Sequence, residues 1–222
     1  MFRRDEDERD QLIDLDMVAL RSDADRLAAR AHTLAAENAA LIRENEELRL
    51  ENQKLLQAIL IDPQSGLPNI AAFDADHTQL DARRRRYEDG YAVLIADIDH
   101  FHTFNDLFGE EAGQDLTKLI ATTIGQTVRQ SDRTYRTGGE EFAVLLPGAE
   151  LREAVTAGER VREKVEELQM LHPGNASGVV TVTIAAIGAG FRHHTPKEMI
   201  AELQDLMVAG KRAGRNRVVW PH

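Results

Sequence analysis

The stretch RTGGEEFAVLL, residues 136–146, decides how we expect the rest of the chain to fold. Gly138 and Gly139 separate two short β-prone segments, which predicts a tight hairpin turn, because glycine takes positive φ without a steric penalty. The turn places Glu140 and Glu141 at the hairpin tip, where paired carboxylates can hold a hard divalent cation. The missing glycine side chains also let a bulky ligand approach the backbone. An exposed acidic turn is equally typical of an ordinary soluble hairpin, so a functional assignment depends on the other motifs.

A second pair of acids ends the apolar run YAVLIADID, residues 91–99, which is typical of a buried strand. Side-chain alternation puts Asp97 and Asp99 on one side of this strand, close to its end. We expect Asp97 to face Glu140 from a neighbouring strand. Two such carboxylates form a reasonable Mg²⁺ site when substrate phosphates supply further oxygens.

The remaining segments alternate between helical and strand patterns. A polar helix containing Arg83–Arg86 precedes the first strand, and a short helix followed by a longer one leads to Arg129. Further helices are predicted over residues 150–171 and 196–210, with strands over residues 179–185 and before Trp220. Because the central pair is a hairpin, we expect an α+β domain with a mixed, mainly antiparallel sheet rather than a doubly wound parallel one.

The first sixty residues carry a heptad repeat, which predicts a long helix in a parallel two-stranded coiled coil. The d positions are Ile13, Leu20, Leu27, Leu34, Leu41, Leu48 and Leu55, and the a positions are Met17, Ala24, Ala31, Asn38, Asn45, Asn52 and Ile59. Asparagine at a can pair across the seam and select the register at some cost in stability. The alternative is a single amphipathic helix lying on its own domain. A DNA-binding zipper is excluded, because the residues before the repeat are acidic.

Two prolines and a glycine within residues 62–69, DPQSGLPN, cannot continue that helix. We therefore expect a dimerising coiled-coil helix over residues 1–61 and a globular domain over residues 62–222. The formal charge of −11 argues against a general nucleic-acid binder, and the absence of cysteine excludes disulfides and thiol chemistry. No apolar run is long enough to span a bilayer and no leader is evident, so we expect a cytoplasmic protein that binds neither membrane nor nucleic acid.

The globular part resembles the GGDEF family of diguanylate cyclases over roughly residues 62–220. The resemblance is carried by ordered motifs, which are DPQSGLPN, DIDHF, the FND segment with its following glycines, RQSD, GGEEF and GKRAGRNRV. It implies a ferredoxin-like, nucleotidyl-cyclase-like βαββαβ core with extra elements. It also implies the condensation of two GTP molecules into cyclic di-GMP with release of pyrophosphate, and GGEEF is similar to an active form of the signature.

Matching positions imply a role for each site residue. The Mg²⁺ (or Mn²⁺) ligands would be Asp97, the carbonyl of Ile98 and Glu140. Glu140 also resembles the residue that helps deprotonate the attacking 3′-hydroxyl, and Glu141 supports the metal site. The substrate contacts implied by the resemblance are Lys211 and Arg215 on the triphosphate, backbone amides near His100 and Phe101 on phosphates, and Asn105 on guanine. Each domain would bind one GTP, so the coiled coil would supply the second domain of a homodimer.

Arg129 and Asp132 match the RxxD motif that binds cyclic di-GMP as a feedback inhibitor in this family. A guanidinium can contact phosphate or the guanine edge, and a carboxylate can accept from guanine N–H groups. The alternative is a surface salt bridge in a loop at a helix end. The Arg83–Arg86 run and Arg160 are weaker candidates for a second half of this inhibitory site.

Gln114 stands where the family usually has an aspartate that binds the guanine edge. Aspartate offers two acceptors, whereas the glutamine amide offers one acceptor and one donor, which suits adenine better. A cyclic GMP-AMP or cyclic di-AMP synthase is therefore one alternative, and a non-catalytic cyclic di-GMP receptor is another. Further departures from the family pattern, which bear on activity, are His102, Glu110, Gln204 and Val208. The sequence does not name the signal that acts on the coil, and a regulatory partner is one candidate.

Overall fold

In a computed structural model, the structure describes residues 26–27, 30–52, 59–87, 89–189 and 195–221. The chain divides into two units, residues 1–57 and 58–222. In the first unit the described residues are helical, and we name residues 30–52 helix α1. The described d-position leucines of the heptad repeat, Leu27, Leu34, Leu41 and Leu48, are exposed in the single chain. The heptad positions before residue 26, together with Leu55, lie outside the described residues.

The second unit alternates helices and strands in the order that the sequence predicts. Its helices are α2 (Ile70–Tyr87), α3 (Phe101–Phe108), α4 (Glu110–Thr127), α5 (Leu151–Glu167) and α6 (Pro196–Arg212). Its strands are β1 (Tyr91–Ile98), β2 (Arg133–Arg136), β3 (Glu141–Pro147), β4 (Val182–Gly188) and β5 (Val218–Val219). None of the helices in the described residues has the length and apolar character needed to cross a membrane.

The five strands form one sheet in the order β2-β3-β1-β4-β5. The pairs β2–β3, β3–β1 and β1–β4 are antiparallel, and the short β5 runs parallel to β4. The predicted mixed, mainly antiparallel sheet with a βαββαβ core is therefore confirmed. β1 is buried along its whole length because it lies in the middle of the sheet with helices on both faces, which explains its continuous apolar sequence.

Alternating side chains of the strands divide the core into two layers. On one face, Leu94, Phe142 and Ile184 pack with apolar residues of α4 and α5. On the other face, Val93, Tyr135 and Leu145 pack with residues of α2 and α6. Helices α5 and α6 both begin with a capping box, in which the cap side chain and a glutamate three residues later bond each other's backbone N–H groups.

One predicted strand begins later than its β-branched sequence suggests. Residues 179–181 precede β4, which begins at Val182. Val179 instead forms an isolated bridge with Leu171, and the carbonyl of Thr181 accepts the backbone N–H of Asp99. The β-branched pattern cannot distinguish a strand from an extended loop whose polar side chains are used elsewhere.

Candidate active site

The ends of β1 and β3 bring the predicted acids together. Asp97 is in register with Glu141 of β3, and the backbone N–H of Ile98 donates to the carbonyl of Glu140 over 3.2 Å. On its other side, Asp97 is in register with Thr183 of β4. Because neighbouring antiparallel strands meet at this edge, the acids of two separate motifs lie at one place on the sheet.

Asp97 is a buried carboxylate with a perturbed titration. Its Oδ1 lies 2.7 Å from the Nζ of Lys211, near the end of α6. Burial raises the pKa of Asp97 to about 6, because the low-dielectric surroundings disfavour the charged form. Lys211 opposes this rise, while the negative charges of Glu140 and Glu141 add to it. The two glutamates therefore lie close enough to repel Asp97, and a cation placed between them would relieve that repulsion.

The oxygen donors at this edge suit a Mg²⁺ ion that takes only part of its ligands from the protein. Among the described residues, no group of three or more His, Cys, Asp or Glu side chains is arranged to hold a metal. Asp97, Glu140 and the carbonyl of Ile98 are oxygen donors of the kind that Mg²⁺ prefers, and Mg²⁺ usually takes its other ligands from water and substrate phosphates. The residues present thus fit a magnesium ion that arrives with a nucleotide.

The glycine turn differs from the predicted one in its backbone conformation. Neither Gly138 nor Gly139 has a φ in the left-handed region, so our argument from positive φ was wrong. The turn is instead held by the buried Arg136, whose Nε and Nη2 donate to the carbonyls of Gly138 (3.1 Å) and Gly139 (2.7 Å). A Cβ added at Gly139 would meet no other atom, so this glycine leaves open space in front of the backbone.

Two further contacts position the turn, and neither was predicted from the sequence. Arg136 Nη1 also donates to Asp62 Oδ1 at 2.8 Å, which ties the turn to the start of the domain. Glu141 Oε1 accepts a hydrogen bond from the hydroxyl of Thr137 at 2.7 Å, so the Glu141 carboxylate is held within the turn. Glu140 is half-buried beside the end of β1. Part of the signal was present in the sequence, because Asp62 lies in the DPQSGLPN motif that carries the family resemblance and Arg136 opens the stretch 136–146 that contains the glycine turn.

The residues assigned to phosphates surround the same edge. His100 adopts a left-handed conformation, with φ 57 and ψ 32, directly before α3 begins at Phe101. Lys211 is half-buried, and Arg215 lies in the loop after α6, also with positive φ. Burial lowers the pKa of His100, and the positive charge of Arg215 lowers it further. Backbone N–H groups at a helix start and two cations therefore share one neighbourhood, which suits a polyphosphate.

Asp99 connects these parts, and sequence reasoning missed this role. It is completely buried, and its two carboxylate oxygens accept hydrogen bonds from the hydroxyls of Thr181 (2.7 Å) and Thr183 (2.6 Å). Its Oδ2 also accepts the backbone N–H of Asn216 at 3.0 Å. Asp99 thus fastens the loop that carries Arg215 to the end of β1. Both of its oxygens are engaged, so it differs from Asp97 although the same motif contains both.

The residues assigned to guanine lie on α3 and α4. Asn105 Oδ1 is buried and has no hydrogen-bond partner among the described residues. A Cβ on Gly113 would lie 1.8 Å from that oxygen, so only glycine allows Asn105 its place. Gln114 follows Gly113 and is exposed. An unsatisfied amide oxygen in a buried position is suited to a ligand donor, since leaving it unpaired is costly.

Arg129 and Asp132 form a closed turn between α4 and β2. The carboxylate of Asp132 accepts the backbone N–H of Arg129 at 2.9 Å, and the N–H of Asp132 donates to the carbonyl of Arg129. The exposed guanidinium of Arg129 lies 3.6 Å from Glu153 rather than on Asp132. The guanidinium therefore remains accessible to a ligand. Of the departures from the family pattern, His102, Glu110, Gln204 and Val208 are all exposed.

Comparison with known proteins adds independent information about this site. A profile of a protein family described as "Diguanylate cyclase, GGDEF domain" matches residues 59–217. Diguanylate cyclase DgcP of Pseudomonas aeruginosa is 36% identical over 163 residues, which cover 73% of this chain and 24% of that protein. The probable diguanylate cyclase DgcT of Escherichia coli is 37% identical over 130 residues, 58% of this chain and 29% of that protein. The chain therefore spans less than a third of the length of these curated relatives.

The solved structures of similar fold include two that also match part of the N-terminal helical segment. The coiled coil and GGDEF domain of DgcB from Caulobacter crescentus, in complex with c-di-GMP, matches with a TM-score of 0.71 and 25% identity, over 85% of this chain and 99% of that one. The diguanylate cyclase SiaD from Pseudomonas aeruginosa, in complex with its activator SiaC, matches with a TM-score of 0.67 and 27% identity, over 99% of this chain and 88% of that one.

Proposed function

The chain belongs to the GGDEF family of diguanylate cyclases, and from this premise we propose that it condenses two GTP into cyclic di-GMP and two pyrophosphates. The observation that carries the proposal is the buried Asp97, which is repelled by Glu140 and Glu141 and paired with Lys211. These groups form an acidic centre with an adjacent cation. Such a centre is suited to holding a nucleotide polyphosphate together with a divalent ion.

The chemistry is an in-line displacement carried out twice. The 3′-hydroxyl oxygen of one GTP attacks the α-phosphorus of the other, the bond to the bridging oxygen of the β-phosphate breaks, and pyrophosphate leaves. Glu140 accepts the hydroxyl proton, directly or through water. Lys211 and Arg215 stabilise the negative charge on the leaving pyrophosphate. A bound Mg²⁺ or Mn²⁺ would be held by Asp97, Glu140 and the Ile98 carbonyl, and would supply Lewis-acid stabilisation of the α-phosphate.

The reaction needs two domains that face each other, because each domain binds one GTP. We attribute their pairing to the heptad repeat, since the d-position leucines of α1 that the structure describes are exposed in the single chain. A parallel coiled coil would bury these leucines and hold the two domains at high effective concentration. The match to a coiled-coil GGDEF protein, DgcB, supports this assembly.

Product inhibition is the proposed role of Arg129 and Asp132. The turn that they form presents an exposed guanidinium, and its geometry does not depend on a salt bridge between the two side chains. The complex of DgcB with c-di-GMP supports a product-binding function in a protein of similar fold. A regulatory partner of the coil is also proposed, by analogy with SiaD and its activator.

The purine selectivity depends on Gln114 and Asn105. Gln114 is exposed beside Gly113, and its amide presents one donor group and one acceptor in place of two acceptors. We propose GTP as the substrate because Asn105 keeps its place against Gly113 with an unpaired buried oxygen. A cyclic GMP-AMP or cyclic di-AMP synthase, or an inactive cyclic di-GMP receptor, are the competing functions.

One experiment separates these functions. Pure protein is incubated with Mg²⁺ and GTP, ATP or both, and the product is identified by mass. We expect cyclic di-GMP from GTP alone, no product in excess chelator, and a loss of at least about 100-fold in turnover for Glu140→Gln, because this change removes both a metal ligand and the base. Glu163→Gln, on the exposed face of α5, is the matched control. A mixed or adenine product would replace the GTP assignment, and binding without turnover in the unmodified protein would favour the receptor.

A further inference from the structure

A completely buried histidine lies behind the phosphate-binding edge without a role in the proposed chemistry. His172 belongs to the loop between α5 and β4, and its Nε2 lies 3.2 Å from the carbonyl oxygen of His100. A carbonyl can only accept, so Nε2 carries the proton and donates. The imidazole ring also packs edge-on against Phe104 of α3, with ring centroids 5.4 Å apart. His172 therefore contacts the helix start from inside the core.

The carbonyl that His172 binds belongs to a residue in an unfavourable conformation. His100 has φ 57, and a non-glycine residue in the left-handed region is destabilised by contact of its Cβ with the backbone. The same carbonyl accepts the backbone N–H of Phe104 at 3.0 Å. Two donors from different elements thus determine the direction of the His100 carbonyl. Through it they determine where the following N–H groups of α3 point.

The surrounding loop is shaped to bring His172 to this position. The N–H of His172 donates to the carbonyl of Gly178, and its carbonyl accepts the N–H of Asn175, both at 2.9 Å. A Cβ on Gly174 would lie 2.5 Å from Thr103 Cγ2 and 3.1 Å from the His172 ring, so the absence of a side chain lets the loop close onto α3. These contacts hold the imidazole against the turn.

The burial of His172 is poorly explained by packing alone. Its Nδ1 is buried and has no partner within the described part of the chain. Burying a polar atom without a partner is destabilising, and an apolar side chain of similar size would avoid that cost. The one polar interaction that the ring makes is with the His100 carbonyl, among the contacts that the structure describes. The choice of histidine is therefore accounted for by the conformation of the turn.

We infer that His172 is a positioning residue, which holds His100 in its left-handed conformation so that the backbone N–H groups at the start of α3 can bind nucleotide phosphates. The identity of the ligand, a nucleotide phosphate, rests on the proposed function. The contact between His172 and the His100 carbonyl does not depend on it. His172 touches no substrate, and it acts through the backbone of His100. Loss of the Nε2 donor should therefore change the turn before any nucleotide is added.

The first test uses the nucleotide-free protein. His172→Leu removes the donor at similar volume, whereas the amide nitrogen of His172→Gln reaches about as far as Nε2. We expect the backbone amide of Phe104, which donates to the His100 carbonyl, to exchange with deuterium about fivefold faster in the leucine variant, and at nearly the original rate in the glutamine variant. Combining His172→Leu with His100→Gly should restore most of the protection, because glycine adopts positive φ without the steric cost. Equal exchange in the original chain and the leucine variant would overturn the inference.

The second test measures phosphate binding with 3′-deoxy-GTP, which lacks the attacking hydroxyl, by calorimetry in Mg²⁺. We expect affinity to fall about five- to tenfold in His172→Leu, with a similar rise in KM and a change in kcat below about twofold, since the turn binds ground and transition states alike. The glutamine variant should recover most of that affinity. His77→Leu is the matched control, because His77 is a buried histidine that contacts Tyr91 through Nε2 on the opposite face of the sheet.

The outcomes distinguish the inference from the proposed function. If His172 serves only packing, His172→Leu and His77→Leu should behave alike, with lower stability and unchanged affinity for 3′-deoxy-GTP. The inference then fails. If the unmodified protein neither binds 3′-deoxy-GTP nor forms product while the exchange rates change as expected, the proposed function fails and the positioning of His100 by His172 stands.

Discussion

Replacing Asp97 with asparagine should change how the stability of the metal-free protein depends on pH. The pKa of Asp97 is raised from its ordinary value of 3.8 to about 6, chiefly by burial. Asparagine keeps the shape of the side chain but cannot ionise. The comparison of the two proteins therefore isolates the free energy of placing a negative charge at the end of β1.

The sign follows from the raised pKa. The stabilising contribution of Asp97 is fully present below about pH 4, where the carboxyl is protonated in both states, and it is lost as the pH rises through about 6. The difference between the two pKa values corresponds to about 3 kcal/mol, of which about 2 kcal/mol appears between about pH 4.5 and pH 7.5. The attraction of Lys211 for the Asp97 carboxylate exists only while Asp97 is ionised, and it already limits the rise in the pKa of Asp97.

The assay is denaturant unfolding of both proteins in chelator, at one protein concentration, across that range of pH. We expect the free energy of unfolding of Asp97→Asn, relative to the original chain, to rise by about 2 kcal/mol from the acidic to the neutral end. Asp115→Asn is the control, because it makes the same chemical change at an exposed position on α4, where a charge contributes little to stability. A difference between Asp97→Asn and the original chain that does not vary with pH would refute the reasoning.

Magnesium supplies a second readout of the same site. If Asp97 and Glu140 bind the ion, millimolar Mg²⁺ should stabilise the original chain most at neutral pH, where Asp97 is ionised, and should stabilise Asp97→Asn much less. Binding to the folded state alone raises the free energy of unfolding with ion concentration. Equal stabilisation of both proteins would place the ion elsewhere.

Three further changes test other parts of the account. Gly113→Ala should weaken GTP binding by at least about tenfold, because the added Cβ would lie 1.8 Å from Asn105 Oδ1 and would push that side chain away. Gly125→Ala on the same helix is the control, since its Cβ meets no atom and binding should stay intact. Titration calorimetry measures both. Arg129→Ala should raise the concentration of cyclic di-GMP needed for half inhibition by about tenfold or more without changing the initial rate, as progress curves with added product will show. Leu34→Pro should make specific activity depend on protein concentration, because the interrupted coil no longer pairs the domains; a constant specific activity on dilution would contradict the role of the coil.

Much of the fold could be predicted from sequence because its signals are local. The apolar run of β1 and the helical periodicities identified their elements and the order of those elements. The hairpin before β3 indicated antiparallel pairing. Boundaries were less predictable, since residues 179–181 have a strand composition but lie outside β4. The hydroxyl of Thr181 donates to the Asp99 carboxylate, a contact between residues that are far apart in sequence.

The candidate site was predictable in its composition but not in its supports. The motifs singled out Asp97, Glu140 and Lys211, and the structure brings their elements to one edge of the sheet. The contacts of Arg136 and Asp99 were not foreseen. Each joins residues from separate segments, and no periodicity in the sequence records which buried donor will meet which acceptor.

The sequence by itself determined which chemical groups are available, their order along the chain, and the heptad repeat that precedes them. These follow from residue type and spacing, which act locally. Only the tertiary structure decided that Gly138 and Gly139 avoid positive φ while His100 adopts it, and that His172 reaches its carbonyl. The physical reason is that a backbone conformation of high intrinsic energy persists only where contacts from distant parts of the chain stabilise it, and those contacts form when the layers pack.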